Sequence, residues 1–250
     1  SSAASDVYKR QIANPFKRVY WLNQGAQSFS IKECVVAIDI KSDTTWATSF
    51  QDRQVNILNG ATLTVSVPMA LDTVMMEEDA QVVFTATEGK FTARSLRFAP
   101  LLSATGWKAF GMPFTSAVIK NSTEEEILAP SVQNVDNGIW FARLKDNKTP
   151  EFVVDESAFG MAGLWAANGD TYTISSEGAF EFKTLEEPAA PTETGTFLMC
   201  SNPNTFTITL KQSAYILTTD GTSFEQEANP EIKPFQSFVL TDAKTLSTLR

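Results

Sequence analysis

The chain has 250 residues and a formal net charge of −9, with 29 acidic against 20 basic side chains. This acidic balance argues against nucleic acid or an anionic membrane as the main partner, because a phosphate backbone requires concentrated cationic charge. Histidine is absent, which excludes catalytic triads and metal sites that depend on imidazole.

The first eleven residues, SSAASDVYKRQ, carry neither strand alternation nor the apolar core of a signal peptide. The string resembles the translation of a sequencing adapter. We therefore interpret Ser1 to Gln11 as a non-native scar and leave these residues out of the fold prediction. An ordinary flexible tail is the alternative interpretation.

Strand patterns dominate the rest of the chain, and helix signals are few. Apolar and polar residues alternate with a period of two in several short segments, which is typical of half-buried strands. Asp220-Gly221 lies between two such segments and predicts a hairpin turn, as Asn59-Gly60 and Asn168-Gly169 predict other turns. Ser122 and Glu125 have the spacing of a capping box and predict one or two helical turns. The predicted fold is all-β, an antiparallel β-sandwich.

A faint internal repeat precedes the predicted sandwich. The pattern that begins at Val55 recurs at Val74, an offset of 19 residues. Such a spacing is typical of stacked rungs of a β-solenoid, but a pair of ordinary hairpin strands explains it equally well. We divide the chain into a scar (1–11), a β-rich N-terminal part (12–97) with a solenoid-like or hairpin stub, and a β-sandwich module (98–250).

Cysteine spacing and hydropathy exclude two further classes of protein. Cys34 and Cys200 are the two cysteines and form no CxxC pair, so no zinc ribbon or thioredoxin-like site is predicted. Free buried thiols are favoured over a disulfide between them. No apolar run approaches the roughly 18 residues needed to cross a bilayer, so no membrane span is predicted.

Several motifs resemble those of a known group of proteins. Phe91-Thr-Ala-Arg94 is followed by Gly106-Trp-Lys-Ala-Phe-Gly-Met-Pro-Phe114, and the chain later carries Leu164-Trp-Ala-Ala-Asn-Gly-Asp-Thr-Tyr-Thr-Ile174 and Lys233-Pro-Phe-Gln-Ser-Phe238. This layout resembles the C-terminal all-β surface modules of exported Bacteroidota proteins. The resemblance implies a cell-surface or secreted module, often attached to repeats or other domains. It implies no catalytic residues.

The residues themselves give no stronger case for an enzyme. Paired carboxylates are the acid-base groups open to a glycosidase without histidine, and the candidates Asp155-Glu156, Glu124-Glu125-Glu126 and Glu186-Glu187 all lie in polar, loop-like or helix-start segments. No phosphate-binding glycine loop or nucleophile elbow is present in the sequence. We predict no catalytic residue, no cofactor and no metal.

Aromatic residues offer two opposed interpretations. Trp46, Trp165 and Tyr172 are the candidates for a flat platform that stacks on sugar rings, with Trp46 expected to be the most exposed of the tryptophans. In β-sandwiches, however, large aromatic side chains mostly fill the space between sheets. We therefore favour the core for each tryptophan and keep a platform as the alternative.

Two Pro-Phe pairs are predicted to be structural. Pro113 and Pro234 are expected at strand starts or sheet edges, because proline cannot donate to a β-ladder. Phe114 and Phe235 are then expected to turn inward and, with Trp107, to anchor one core. The overall expectation is a non-enzymatic surface module with a structural or adhesive role, and the alternatives are a glycan-binding module or part of an enzyme. A surface glycan or a protein is the expected partner.

Overall fold

The computed structural model describes residues 19–22, 31–34, 37–100, 106–111, 113–127, 139–145, 149–153, 161–167, 171–184 and 198–240. The regular structure in these ranges consists of β-strands, which confirms the all-β fold. The first nine strands are β1 (Val19–Leu22), β2 (Ile31–Cys34), β3 (Ile38–Ile40), β4 (Thr44–Trp46), β5 (Gln54–Ile57), β6 (Thr62–Val65), β7 (Met69–Glu77), β8 (Gln81–Phe84) and β9 (Phe91–Ala99). They are followed by β10 (Lys108–Gly111), β11 (Ala117–Lys120), β12 (Glu126–Ile127), β13 (Ile139–Lys145), β14 (Thr149–Val153), β15 (Ala162–Ala167), β16 (Thr173–Ser176) and β17 (Phe180–Phe182). The last six are β18 (Leu198–Ser201), β19 (Ile208–Thr209), β20 (Ala214–Leu217), β21 (Phe224–Glu227), β22 (Glu231–Ile232) and β23 (Ser237–Leu240).

The N-terminal strands form a parallel stack. Strands β3, β5, β7 and β9 pair in parallel in one sheet, and β4, β6 and β8 pair in parallel in a second. Val55 pairs with Val74, and Leu63 pairs with Val82, so the repeat offset seen in the sequence is the register of the stack. The repeat is therefore solenoid-like and not a pair of hairpins.

The interior of the stack consists of ladders of apolar side chains. Ile40, Ile57, Met76 and Phe98 follow one another across the first sheet, and all four are buried. Alternation along each strand directs every second side chain inward, and parallel in-register pairing places those side chains above one another. The spacing of the repeat is thus set by the need to bury the same face in each rung.

Tight turns connect the two sheets within each rung. The amide of Ala61 donates to the carbonyl of Leu58 at 3.0 Å, and Gly60 has a φ of 77° at the turn predicted from Asn59-Gly60. One rung later, the amide of Ala80 donates to the carbonyl of Glu77 at 3.0 Å. The second of these turns carries Glu78 and Asp79 at the surface of the stack.

Later parts of the chain close one end of the stack. In the first sheet, β16 and β17 pair antiparallel with β9, so the largest sheet is mixed, in the order β12-β11-β16-β9-β7-β5-β3. In the second sheet, the amide of Val82 in β8 donates to the carbonyl of Thr205 at 2.7 Å, and the Thr205 hydroxyl donates to the carbonyl of Val82. At the opposite end, the outer edges of β3 and β4 have no strand partner among the described residues.

The remaining sheets are antiparallel. Their orders are β10-β15-β13-β14 and β18-β23-β20-β21, with the two-stranded pairs β1-β2 and β19-β22. This arrangement confirms the β-rich class, but it does not confirm a sandwich. The division of the chain at residue 97 falls within β9 and stays a prediction.

The prediction of a helix after Ser122 is wrong. The side-chain oxygen of Asn121 accepts hydrogen bonds from the amides of Thr123 at 3.0 Å and Glu125 at 2.9 Å, and Glu124 has a φ of 62°. These bonds hold a turn, and the left-handed residue prevents helical continuation, so the chain passes into the short strand β12. No helix long and apolar enough to cross a membrane occurs in the described part of the chain.

The Pro-Phe pairs are partly as expected. Phe114 and Phe235 are both buried in the large core that includes the stack. Trp107 is only half-buried and packs with Ala109, Ala142 and Leu164 in a separate small cluster, so the expectation that it anchors the same core is wrong. Pro113 lies between β10 and β11 and Pro234 between β22 and β23, so neither proline is at a strand start as expected.

Candidate functional site

A groove with a volume of about 720 Å³ lies where the end of the stack meets the C-terminal strands. Its size is in the range of ligand-binding clefts. The buried rings of Phe98 in β9 and Phe110 in β10 are among its lining residues, together with Ile216 in β20. Three structural units therefore converge here: the last parallel strand, an edge strand of the β10 sheet, and the hairpin β20–β21.

The hairpin that the Asp220-Gly221 pattern predicted forms one wall of the groove. Strands β20 and β21 pair from Ala214↔Glu227 to Leu217↔Phe224, and the amide of Gly221 donates to the carbonyl of Thr218 at 2.9 Å. The Asp220 carboxylate accepts hydrogen bonds from the Thr218 hydroxyl at 2.6 Å and the Thr222 amide at 3.1 Å. These bonds, that of Thr218 first, lower the pKa of Asp220. The carboxylate therefore stabilises the turn in its charged form.

The turn before β23 forms the opposite wall, and a buried amide positions it. The Asn202 side chain is fully buried, and its Nδ2 donates to the carbonyls of Ile232 and Lys233 at 3.0 Å each. Within the turn, the amide of Gln236 donates to the carbonyl of Lys233 at 3.1 Å. Phe235, which follows Pro234 inside this turn, has a φ of 57° and a fully buried side chain. The neighbouring core thus stabilises a backbone conformation that non-glycine residues seldom adopt.

Two lysines that line the groove, Lys108 and Lys233, each form an ion pair with a carboxylate of the stack. Lys108 Nζ in β10 forms an ion pair with the Glu78 carboxylate, and Lys233 Nζ lies 2.7 Å from Asp79 Oδ1. Burial, and then the nearby charge of Lys233, lower the pKa of Lys108 to about 8. The two pairs join the surface turn of the stack to β10 and to the turn before β23. The opposite charges in each pair attract, so the two ion pairs hold these three elements together.

Two acidic side chains on β21 lack such partners. Glu225 and Glu227 line the groove from the same face of the strand, and both are exposed. Neither carboxylate has an ion pair or a hydrogen bond with another described residue. Ile216 lies opposite Glu225 in the hairpin register and adds an apolar surface beside it.

The candidate platform residues are placed elsewhere. Trp46 is 7% exposed and packs edge-on against Phe50, with ring centroids 4.9 Å apart. The exposure expected for Trp46 is therefore wrong, because the next rung covers it: Trp46 pairs with Val65. Trp165 and Tyr172 are also buried in the core. The three rings therefore do not form an exposed stacking face, and none of them lines the groove.

Trp165 instead lies at the centre of an aromatic cluster. Its ring packs edge-on against Phe110 at 5.7 Å and Phe141 at 5.0 Å between centroids. Its indole Nε1–H has no hydrogen-bond acceptor among the described residues. This position agrees with the core interpretation of Trp165.

Sequence patterns do not identify most of the groove residues. Lys108 lies inside the Gly106–Phe114 motif, and Lys233 precedes the second Pro-Phe pair, but no pattern connects either lysine with Glu78 or Asp79. Among the candidate carboxylates, Glu124-Glu125-Glu126 is exposed, spans the turn and the start of β12, and does not line the groove. Asp155-Glu156, Glu186-Glu187, Asn168-Gly169 and Ser1 to Gln11 lie outside the described residues, as does the side chain of Cys34. No group of acidic and cysteine side chains within the described ranges is arranged to hold a metal ion.

Comparisons with known proteins identify no relatives for this arrangement. No family model matches the chain, and neither the curated proteins nor the solved structures include a significant match.

Proposed function

We propose that the chain is a non-enzymatic β-rich module of a larger cell-surface or secreted protein, with a structural and adhesive role. The structural part is to terminate a β-solenoid. The observation that carries this proposal is the asymmetry of the two ends of the stack. Later parts of the chain close the end at β8 and β9, whereas the outer edges of β3 and β4 have no strand partner among the described residues.

A stack of rungs buries its hydrophobic interior only where a neighbour covers each rung, and its last rung needs a different kind of cover. The antiparallel strands that pair with β9 supply that cover. They also end the solenoid, because antiparallel neighbours cannot continue its winding. The edges of β3 and β4 offer parallel backbone groups to a further rung. The module therefore fits the end of a longer solenoid.

Duplication of one rung tests the structural part. In a variant with residues 55–73 repeated in tandem, each copy should pair with the next at the native register, since Val55 pairs with Val74. We expect cooperative unfolding and a thermal midpoint no lower than that of the parent chain. A matched control repeats residues 55–63, which is about half a rung and breaks the register. If the full-rung variant loses stability as the control does, the solenoid role is wrong.

Surface display tests the adhesive part. Bacteria that display the chain through a fused signal peptide and anchor should be retained under flow on surfaces coated with protein or with other bacterial cells. Cells that carry the anchor alone are the control. Retention no greater than that of the control would contradict the adhesive role while leaving the structural role intact.

A further inference from the structure

Strand β21, which lines the groove, has an unpaired edge and a row of exposed side chains. Strand β21 is the edge of the sheet β18-β23-β20-β21, and its outer side pairs with no other described strand. Its residues Glu225, Gln226 and Glu227 are exposed. An edge of this kind presents alternate backbone N–H and C=O groups to an added strand.

The charges of the groove are unbalanced. Four acidic side chains and two lysines line it, and both lysines are already in ion pairs, Lys108 with Glu78 and Lys233 with Asp79. Asp220 is held by hydrogen bonds within its own turn, so Glu225 and Glu227 are the lining carboxylates available to a ligand. They lie two positions apart on one strand face, about 7 Å along the strand by standard geometry.

We propose that this edge binds an extended basic segment of a partner protein, with Lys or Arg at alternate positions, as an added β-strand. The segment hydrogen-bonds to the β21 backbone, and its two cationic side chains oppose Glu225 and Glu227 in the groove. Its intervening residues face the opposite side of the sheet. Opposite charges on directly opposed strand positions stabilise such a pair. This proposal deepens the adhesive part of the proposed function and rests on it.

The recognition has two separable components. Backbone pairing selects an extended chain and excludes proline at the paired positions, because proline removes a ladder donor. Charge pairing selects Lys or Arg over Glu, and it weakens as salt screens the partly exposed charges. An alternative role for the two glutamates is to repel other edge strands and so prevent aggregation.

Binding of synthetic peptides to the full chain tests the proposal. The probe is a fluorescent Lys-Val-Lys-Val-Lys peptide, measured by anisotropy at low and high salt. One control peptide has Glu in place of Lys, and another has Pro in place of Val. We expect the Lys-Val peptide to bind at least tenfold more tightly than either control, and to protect the outward backbone amides of β21 from hydrogen exchange.

Paired variants locate the site. Glu225→Gln with Glu227→Gln should weaken binding at least tenfold. The control Glu88→Gln with Glu231→Gln removes two exposed carboxylates outside the groove and should leave binding unchanged. Equal binding of the proline peptide, or equal loss in both double variants, overturns strand addition. No binding by the parent chain, together with self-association of the Glu225→Gln and Glu227→Gln variant, establishes the anti-aggregation role instead. These outcomes do not depend on rung duplication, so failure here leaves the solenoid role standing.

Discussion

Gly106 and Gly221 bring two distant segments into direct backbone contact. A Cβ on Gly221 would overlap the backbone of Trp107, and a Cβ on Gly106 would overlap the carbonyl of Asp220. The Trp107 amide also donates to the carbonyl of Gly221 at 3.3 Å. The hairpin turn and the tryptophan motif, both singled out in the sequence, therefore meet through their glycines and set one wall of the groove.

Substitution of Gly221 by Ala is expected to be unusually costly. Gly221 has a φ of 70°, so alanine costs about 1–2 kcal/mol for the left-handed conformation. The overlap with Trp107 adds about 1–3 kcal/mol, as for overpacked sites. Gly60→Ala is a matched control, because Gly60 has a φ of 77° but no atom near its missing Cβ. Urea unfolding should show a larger loss for Gly221→Ala, and equal losses would mean that the contact with Trp107 relaxes without cost.

At Phe235, glycine is expected to be tolerated better than alanine. Both substitutions remove a buried ring that packs edge-on against Phe98 at 5.1 Å, which costs about 3–5 kcal/mol. Glycine also relieves the left-handed φ of 57°, so Phe235→Gly should be more stable than Phe235→Ala by about 1 kcal/mol.

Phe110 provides the control for this order. It is also buried, but it lies within strand β10 and has no positive φ. There the order should reverse, with glycine less stable than alanine by about 0.5–1 kcal/mol. Chemical denaturation of the four variants measures both differences. The same order at both positions would contradict the role assigned to the backbone of Phe235.

The amine of Lys108 should titrate near pH 8. Burial lowers its pKa from 10.5, and the charge of Lys233 lowers it further. Between pH 8 and 10.5 the unfolded chain holds a proton that the folded chain has released, so the contribution of this group to the free energy of unfolding rises with pH. Acetylation rates of Lys108, followed by mass spectrometry across this range, should give a midpoint near 8 in the folded chain and near 10.5 in urea.

Variants separate the two causes of this shift. Lys233→Met should raise the pKa of Lys108, because it removes the neighbouring charge. Lys41→Met, a substitution of an exposed lysine outside the groove, should leave it unchanged. A folded-state midpoint that already equals the value in urea would show that the ammonium is not buried.

The thiol of Cys200 is expected to be unreactive in the folded chain. It is buried in the core of the β18–β23 sheet, and burial raises its pKa to about 12. The thiolate is the reacting form, so iodoacetamide at pH 8 should modify Cys200 only after unfolding. A Cys34→Ser background restricts the measurement to this one thiol. Rapid labelling without denaturant would contradict the burial of the side chain.

Local sequence patterns determined the strands and the spacing of the stack. The period of two places side chains such as Val55 and Val74 on one face, and the 19-residue offset becomes the register because each rung must bury the same face. The turns at Gly60 and Gly221 were also predictable, since both use positive φ angles that glycine adopts without steric cost.

The tertiary structure decided which of those strands stack in parallel, where the stack ends and what surrounds each ring. Trp46 lies in a polar stretch that predicts exposure, yet Val65 of the next rung and Phe50 cover it. The groove arises in the same way: Asp79 and Lys233 are 154 positions apart and meet because the surface turn of the stack lies against the turn before β23. Periodicity and turn chemistry act over a few residues, whereas burial and charge pairing depend on which distant strands become neighbours.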